Sequence, residues 1–297
     1  MEEFVDIDLG IDGKPLAPKN DKVALIDADT LAYTACLNTE QQECIMEQDL
    51  YTEDEYKELL NHENYDEANH CIWTNNIELA YSKALEKLDK IMGKTGCQTC
   101  ELHFTGGREN FRYQVKPDYK ANRTGMRTPT GLKELKAKLL ENFEGTINTS
   151  WEADDIVVCK KMNEPDKYIM VAVDKDLLYS VEGCHFNYYE SLKYSIDMKF
   201  QDVDANTAMR WAYIQCLVGD TTDNIEGIKG IGPKKAEKVL AGCSTHADYW
   251  YAVASAFEDA GKGLMDAIET MRLVNMYQLE LVDNEYVIKL WKPEDMK

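Results

Sequence analysis

The chain has 297 residues, of which 44% are hydrophobic and 10% aromatic, so it can bury a core and is not a disordered or low-complexity sequence. No apolar run approaches the roughly 18 residues that a membrane helix needs, and the acidic N-terminus is unlike a signal peptide. These features predict a cytoplasmic protein without a membrane partner. The formal net charge of −21 argues at first against a protein that binds nucleic acid.

The charge is distributed unevenly along the chain. Residues 1–80 hold 20 acidic and 4 basic residues, a net of −16, whereas residues 103–140 hold nine Lys and Arg against three acids, a net of +6. A local basic patch is what a phosphate backbone responds to, although a solvated helix face gives the same count. The total charge therefore does not exclude a nucleic-acid partner.

Nine cysteines are scattered without a regular framework, which favours reduced thiols. Cys97 and Cys100 have the spacing of metal ligands, and His103 follows three residues later. A tetrahedral zinc site needs a fourth ligand, and this pair has only distant candidates. Free thiols are therefore the favoured interpretation.

The first 200 residues alternate between predicted strands and helices, which is typical of a parallel α/β sheet. Residues 1–20 have no periodic pattern and are predicted to be a tail or strap, and residues 40–70 to be surface helices or a loose insertion. Apolar runs and helical periodicity predict the other elements: strands at 22–26, 101–105 and 168–173, a hairpin or two short strands at 185–197, and helices at 77–92, 132–143 and 151–161.

The last hundred residues are predicted to be mainly helical. A helix at 206–218 precedes a glycine-rich hairpin, a further helix begins near Pro233, and a final strand covers 286–291. We therefore divide the chain into the tail, an α/β domain at 21–200 and a helical region at 201–297.

Four acidic motifs supply candidate metal ligands. Their carboxylates are Asp27 and Asp29, then Glu152, Asp154 and Asp155, then Asp174 and Asp176, and lastly Asp220 and Asp223. Parallel strands bring their carboxyl ends to one edge of a sheet, so Asp27 and Asp174 are expected to lie close together. An acid in a first helical turn, such as Asp154, also has the simpler role of complementing the helix dipole.

Clustered carboxylates repel one another and cost stability unless a cation neutralises them. Oxygen-rich sites with several carboxylates favour Mg²⁺ or Mn²⁺ over zinc. Two such ions roughly 4 Å apart support hydrolysis of a phosphodiester. The four motifs together predict a hydrolase that uses two magnesium ions, with manganese as a substitute.

A basic stretch after the second strand supplies candidate DNA contacts. These are Arg108, Arg112, Tyr119, Lys120, Arg123 and Arg127. Lys120 and Arg123 are three residues apart, so on a helix they share a face and can clamp one phosphate, while Tyr119 can stack on an unpaired base. Basic pairs at helical spacing are also common on solvated surfaces, so spacing alone leaves that alternative open.

The glycine-rich segment at 227–236 gives the strongest single signal. Gly230 and Gly232 allow a tight turn with outward backbone N–H groups, and the helix that follows begins with a proline. Lys234 and Lys235 add positive charge. This layout is typical of a helix–hairpin–helix that grips a DNA backbone without reading bases. A loop that merely turns the chain is the alternative.

The motifs LIDAD, YKANR, WEADD, VAVDKD and GDTTDN-IEGIKGIGPKKA, in this order, resemble the flap endonuclease and 5′→3′ exonuclease family. PDYKANR and EYVIKLWKP are similar in particular to the phage replication exonucleases that degrade duplex DNA from 5′ ends. The resemblance covers about residues 22–292. It implies a PIN-like 5′-nuclease fold with a helical arch or clamp at about 106–130 and a C-terminal helix–hairpin–helix subdomain of the H3TH type.

The implied activity is that of a 5′→3′ exonuclease and structure-specific 5′ flap endonuclease, which cleaves DNA by a two-metal mechanism and leaves 5′ phosphates. The implied partners are double-stranded DNA with 5′ ends, nicks or flaps, RNA in RNA–DNA hybrids, and replication proteins. If the chain is phage-encoded, it would act in the cytoplasm of the host cell.

The resemblance also assigns roles to individual residues. The implied metal ligands are Asp27, Glu152, Asp154, Asp155, Asp174, Asp176, Asp220 and Asp223. Asp27, Glu152 and Asp154 would lie nearest one ion. Asp176, Asp220 and Asp223 would lie nearest the other. Lys120 and Arg123 match the clamp that holds the scissile phosphate, and the hairpin at 230–232 matches one that contacts duplex DNA and often binds K⁺ through main-chain carbonyls.

One position departs from the family pattern. Family members carry an aspartate just after the second strand, where this chain has Gly106, and Asp29 is the candidate to compensate. Two alternatives stand beside the nuclease. A phosphatase of the haloacid dehalogenase type would use Asp27 as its nucleophile but leaves the hairpin and the YKANR motif unexplained. A catalytically weakened DNA-binding relative would gain nothing from eight acids beside phosphates.

Overall fold

The computed structural model of the chain describes residues 16–46, 48–123 and 125–295, so most of the predicted tail lies outside the described residues. The first elements in chain order are β1 (Asn20–Asp27), α1 (Asp29–Leu37), β2 (Glu40–Cys44), α2 (Glu53–Leu60), β3 (Tyr65–Asp66), β4 (Cys71–Asn75), α3 (Ile77–Thr95), β5 (Cys97–Thr105), α4 (Phe111–Val115), α5 (Leu132–Leu140), β6 (Glu144–Asn148), α6 (Ala153–Asn163) and β7 (Tyr168–Ala172). They are followed by α7 (Lys175–Tyr179), β8 (Gly183–Asn187), β9 (Lys199–Val203), α8 (Ala205–Val218), β10 (Gly219–Asp220), β11 (Ile225–Glu226), α9 (Pro233–Val239), α10 (His246–Asp259), α11 (Leu264–Val274), β12 (Leu279–Val282) and β13 (Glu285–Ile288).

The central sheet has six strands in the order β6-β5-β1-β7-β8-β9. Every neighbouring pair is parallel except β8 with β9, which is antiparallel. All five residues of β7 are buried, as expected for a strand covered on both faces. The predicted α/β class with a mainly parallel sheet is confirmed.

Side chains alternate between two apolar layers on either side of this sheet. On β1, Ala24 and Ile26 face the layer formed with α1, α3 and α5, whereas Leu25 faces the layer formed with α6 and α7. On β7, Val171 joins the first layer and Met170 the second. This sandwich fixes where β1 and β7 end, and therefore which residues emerge at the carboxyl edge of the sheet.

A second core joins the helices α8 to α11. Tyr213 stacks on Tyr249 with ring centroids 5.3 Å apart, and Trp250 packs edge-on against Trp291 at 4.6 Å. Tyr119 belongs to this core although it comes from the basic segment, where it also packs against Tyr113. The basic segment is therefore attached to the helical region.

Residues 39–46 and 48–76 form a small unit that we call the acidic lobe. It contains a three-stranded antiparallel sheet in the order β2-β4-β3 together with α2, whose first turn is closed by a capping box between Thr52 and Glu55. The prediction of surface helices or a loose insertion missed this sheet, because its polar strands β2 and β3 lack a hydrophobic run.

The other differences concern edge elements. The sequence did not reveal β6, an edge strand with four exposed residues among five. The hairpin predicted at 185–197 is present as β8 and β9 but extends to residue 203, and the final strand predicted at 286–291 is β13, paired with β12. No helix among the described residues is long and apolar enough to cross a membrane.

Candidate active site

Carboxylates converge at the carboxyl edge of the central sheet, as predicted. Asp27 is the last residue of β1, and Asp174 follows the neighbouring strand β7 as the N-cap of α7, where it accepts a hydrogen bond from the backbone N–H of Asp176 at 2.8 Å. Asp154 lies in the first turn of α6. Three separate motifs thus supply acids to one place.

Asp27, Asp154 and Asp174 influence one another electrostatically. Burial, followed by the charge of Asp29, raises the pKa of Asp27 to about 7, and Asp174 adds to the increase. The pKa of Asp154 lies well above its ordinary value, through burial first and then through Asp27 and Asp174. Mutual repulsion of this kind is the condition that a bound cation relieves, so the residues present suit a divalent metal ion.

A second group adjoins the first through Asp174. Burial, followed by the charge of Asp174, raises the pKa of Asp176 to about 6, and Asp220 contributes as well. Asp220 ends the short strand β10 directly after α8, and its carboxylate accepts a hydrogen bond from the N–H of Thr222 at 2.8 Å. Asp174 is therefore the carboxylate common to both groups.

Glu152 and Asp223 form a third group, which already contains cations. The Nζ of Lys120 lies 2.6 Å from Glu152 Oε1 and 3.4 Å from Asp223 Oδ2, and Arg123 pairs with the other Asp223 oxygen. The hydroxyl of Tyr119 lies 3.0 Å from Glu152 and 2.9 Å from Asp223. The resemblance placed Glu152 and Asp223 nearest different ions, whereas here the same side chains contact both.

The Asp155 carboxylate is paired with Arg112, so we leave Asp155 out of the proposed metal ligands. Arg112 donates two hydrogen bonds to the Asp155 carboxylate, at 2.6 and 2.7 Å, and a third to the carbonyl of Leu273 at 3.0 Å. Both side chains are buried. The prediction that Arg112 contacts DNA is wrong, because its guanidinium is enclosed between α6 and α11.

Two further predictions for the basic segment are wrong in physical detail. Tyr119 is 2% exposed and cannot stack on a base. Lys120 and Arg123 do not share an α-helical face, since Ala121–Arg123 is a single 3-10 turn and Lys120 has a left-handed backbone with φ of 55°. The N–H of Lys120 instead donates to the carbonyl of Asp223 at 2.9 Å, which attaches this turn to the acid-bearing loop.

The remaining predicted contacts lie on the surface. Arg108 is exposed. Arg127 is paired with Glu40 of the acidic lobe, and its guanidinium lies 3.8 Å from the centroid of the Trp73 ring. We leave Arg127 out of the proposed contact set because its charge is already paired with Glu40.

The glycine-rich hairpin is open toward solvent. Gly230 has φ of +83°, and a side chain added at Gly230 or Gly232 would meet nothing within 4 Å. Lys234 and Lys235 are exposed at the start of α9, and the Nζ of Lys235 donates to the Gly230 carbonyl at 2.7 Å. The free space beside both glycines leaves the backbone accessible to a large ligand.

The structure explains the departure at Gly106. A Cβ at this position would lie 2.8 Å from the carbonyl oxygen of Asn148, at the end of the neighbouring strand β6, so an aspartate does not fit without moving the backbone. Asp29, the residue expected to compensate, accepts hydrogen bonds from Lys136 at 2.6 Å and from the N–H of Thr105 at 3.1 Å. Its charge is therefore already balanced by Lys136.

Sequence reasoning missed Asn110 and Lys136. Asn110 is buried, caps α4 and donates to Glu152 at 3.1 Å. A lysine on the apolar side of α5, next to Leu135 and Leu139, was a signal for a buried partner.

Cys97 and Cys100 are free thiols. Over the described ranges, no three His, Cys, Asp or Glu side chains form a ready ligand set, so the acids make a row of neighbours and not a closed cage.

Known proteins are similar to this chain in sequence and in fold. The chain is 25% identical over 221 residues to the flap endonuclease Xni of Shewanella amazonensis. The aligned region covers 72% of this chain and 86% of that protein. It is 28% identical over 178 residues to the Xni of Shewanella sp. strain MR-4, and the aligned region covers 57% of this chain and 67% of that protein. No family model matches the chain.

Two solved structures have the same fold. The 5′-exonuclease of T5 with bound zinc superposes with a TM-score of 0.52 at 15% identity, covering 86% of this chain and 90% of the other. Flap endonuclease-1 from Methanococcus jannaschii superposes with a TM-score of 0.51 at 14% identity, covering 93% of this chain and 85% of the other. The chain is thus similar in sequence to flap endonucleases and in fold to a 5′-exonuclease and a flap endonuclease. The carboxylate row of this chain lies at the sheet edge where open α/β folds bind their ligands.

Proposed function

We propose that the protein is a metal-dependent 5′→3′ exonuclease and structure-specific 5′ flap endonuclease that cleaves DNA phosphodiesters to leave 5′ phosphates. The observation that carries this proposal is the row of mutually repelling acids, Asp27, Asp154, Asp174 and Asp176, at the carboxyl edge of the sheet. A purely structural role does not explain why mutually repelling acids are clustered, whereas a cation site does, because the clustered carboxylates are its ligands.

We assign the ions to the two groups that share Asp174. Asp27, Asp154 and Asp174 would hold one Mg²⁺ or Mn²⁺, and Asp176 with Asp220 would hold the other. When bound, two such ions activate the attacking water and stabilise the leaving oxygen of a phosphodiester. Glu152 and Asp223 then serve a different purpose, because they orient Lys120 and Arg123 beside the row.

Lys120 and Arg123 are the proposed contacts to the scissile phosphate. They bring two positive charges to the border of the acidic row, and the left-handed backbone at Lys120 and its bond to Asp223 fix their position. Tyr119 and Asn110 hold Glu152 from the protein interior. Residues that are buried and bonded in this way preorganise a site before substrate enters.

The hairpin with Gly230, Gly232, Lys234 and Lys235 is the proposed grip on duplex DNA. Its open backbone and exposed lysines suit contacts to phosphates without base reading. The K⁺ ion that the resemblance implies would compete with Lys235 for the Gly230 carbonyl. The proposed partners remain duplex DNA with 5′ ends, nicks or flaps, RNA in hybrids, and replication proteins.

The test is a digestion series on blunt, nicked, gapped and 5′-flapped DNA labelled at the 5′ end, with a duplex labelled at the end of a 3′ flap as the matched control. We expect release of 5′-labelled products in Mg²⁺ or Mn²⁺, whereas the 3′ flap itself should stay uncut. Binding without cleavage would favour the non-catalytic relative. A covalent phosphate trapped on Asp27 would favour the phosphatase.

The raised pKa values predict how metal binding depends on pH. An acid whose pKa is raised in the folded state binds its proton more tightly than in the unfolded chain, so Asp27 and Asp176 lower stability as the pH rises from about 4 to about 7. The gain in Tm on adding Mg²⁺ should therefore be larger at about pH 7.5 than at about pH 5. Thermal unfolding with and without a chelator measures this.

The variant Asp27→Asn is the control for this effect, since it removes one of the two groups. It should reduce the difference between the two Mg²⁺ gains. Burial lowers the pKa of His185 to about 4, so its contribution to stability increases as the pH rises. This contribution is the same with and without Mg²⁺, so it cancels when the two Tm gains are compared. An equal Mg²⁺ gain at both pH values in the wild type would contradict the metal assignment.

The hairpin lysines give a separate prediction. Lys234→Ala should weaken binding to duplex DNA equally for different sequences and reduce the slope of log affinity against log salt by about 1. Fluorescence anisotropy over a salt series measures it. Lys83→Ala on the outer helix α3 is the matched control and should leave the slope unchanged. A sequence-dependent loss would argue against a backbone grip.

A further inference from the structure

Two cysteines in the acidic lobe face each other across neighbouring strands. Cys44 ends β2 and Cys71 begins β4, and the two are directly opposed in the antiparallel ladder. All nine cysteines of the chain are free, with Cys44 exposed and Cys71 buried. Opposed residues of an antiparallel pair point to the same side of the sheet, so the two thiols are neighbours.

The hydrogen bonds on both sides of β4 define the type of this pair. Ile45 donates its N–H to the carbonyl of His70 at 3.1 Å, so the adjacent pair, Cys44 with Cys71, is a non-hydrogen-bonded one. On the other side, Trp73 donates to Asn64 at 3.1 Å, which directs the backbone groups of Cys71 toward β3 and not toward β2. Both observations give the same result independently.

Non-hydrogen-bonded pairs have Cα atoms about 4.5 Å apart, closer than the hydrogen-bonded pairs of the same ladder. A disulfide spans Cα separations of about 4.4–6.8 Å, so no strand has to move for this one to form. The exposed Cys44 is also the member of the pair that a soluble reagent reaches first.

We propose that Cys44 and Cys71 are a reversible thiol–disulfide site that exchanges with a small disulfide such as oxidised glutathione. The Cys44 thiolate attacks one sulfur of the reagent, the S–S bond of the reagent breaks, and the first glutathione thiolate leaves. The Cys71 thiolate then attacks the Cys44 sulfur and expels the second glutathione. Two electrons and the two thiol protons pass from the cysteine pair to glutathione, which ends as two thiols.

The site would control a contact between the acidic lobe and the basic segment. Cys44 and Cys71 lie on the same face of the small sheet as Glu40 and Trp73, because those residues are separated from them by even numbers along β2 and β4. Glu40 and Trp73 are the residues that hold Arg127. Oxidation would join the two strands that carry this contact, a step that goes beyond the nuclease activity and does not involve it.

The experiment treats the native protein with oxidised glutathione, blocks the remaining thiols, and reads the product by thiol count and peptide mass mapping. We expect Cys44 and Cys71 both to lose their free thiols, with a linked peptide containing the two residues and no glutathione retained on either. Dithiothreitol should restore both thiols. Cys44→Ser, a change at an exposed position, should give no linked peptide.

Cys184→Ser is the matched control, because Cys184 is also exposed but faces Asp202 on β9 and not a second cysteine. This variant should still form the linked peptide. Glutathione retained on Cys44 with Cys71 free, or no reaction at either residue in the folded protein, would overturn the proposal. Neither result bears on the nuclease assignment, so the two proposals fail separately.

Discussion

Replacing Asp154 with asparagine is expected to lower cleavage of 5′-flapped DNA by at least about 100-fold and, at the same time, to raise the Tm of the metal-free protein. Asp154 lies among Asp27, Asp174 and Glu152, and burial together with these charges holds its pKa well above the ordinary range. Neutralising it removes repulsion from the folded state while deleting a proposed metal ligand. Single-turnover cleavage and thermal unfolding measure the two effects.

A variant with a higher Tm and a much lower cleavage rate identifies a metal ligand, because replacing a structural residue would lower the Tm. Asp89→Asn, on the exposed side of α3, is the matched control and should change neither quantity. DNA binding by Asp154→Asn should persist, since the hairpin is intact. If Asp154→Asn cleaved DNA at the wild-type rate, Asp154 would not be a metal ligand. If its Tm were lower than that of the wild type, the Asp154 charge would be compensated in the metal-free protein.

Replacing Arg112 with methionine is expected to destabilise the protein by about 3–5 kcal/mol, because the change leaves the buried Asp155 carboxylate without its partner. Arg112 makes both bonds to Asp155 and also ties α4 to α11 through the Leu273 carbonyl. Chemical denaturation monitored by tryptophan fluorescence gives the free energy of unfolding.

Arg108→Ala is the control for Arg112, since Arg108 is an exposed arginine of the same segment, and it should change the free energy of unfolding by less than about 0.5 kcal/mol. The double variant Arg112→Met with Asp155→Leu should recover part of the loss, because no unpaired charge remains. If Arg112→Met folds with wild-type stability but binds DNA weakly, the original prediction of a DNA contact would be correct after all.

The sequence was sufficient for the parts of the site that depend on strand ends. A buried apolar run followed by an acid, as in β1 with Asp27 and β7 with Asp174, predicts both the parallel sheet and the meeting of the carboxylates, because the topology of such sheets leaves little choice. The glycine-rich hairpin was recognisable for a similar reason, since Gly230 requires a left-handed backbone.

The partners of the basic residues could not be predicted in the same way. Arg112, Lys120 and Arg127 have the same charge in the sequence, yet one is buried against Asp155, one bridges Glu152 and Asp223, and one is held by the acidic lobe. Which acid a basic side chain meets depends on how segments distant in sequence pack. Tyr119 shows the same limit, because an aromatic beside two basic residues gives no sign that it is buried.

The most direct test of the account is single-turnover cleavage of a duplex with a labelled 5′ flap, run with Mg²⁺ and with a chelator. The carboxylate row predicts cleavage near the flap junction only when Mg²⁺ is present, with a 5′ phosphate on the downstream product. Cleavage that continues in the chelator, or an intact flap under conditions in which Mg²⁺ raises the Tm, would contradict it.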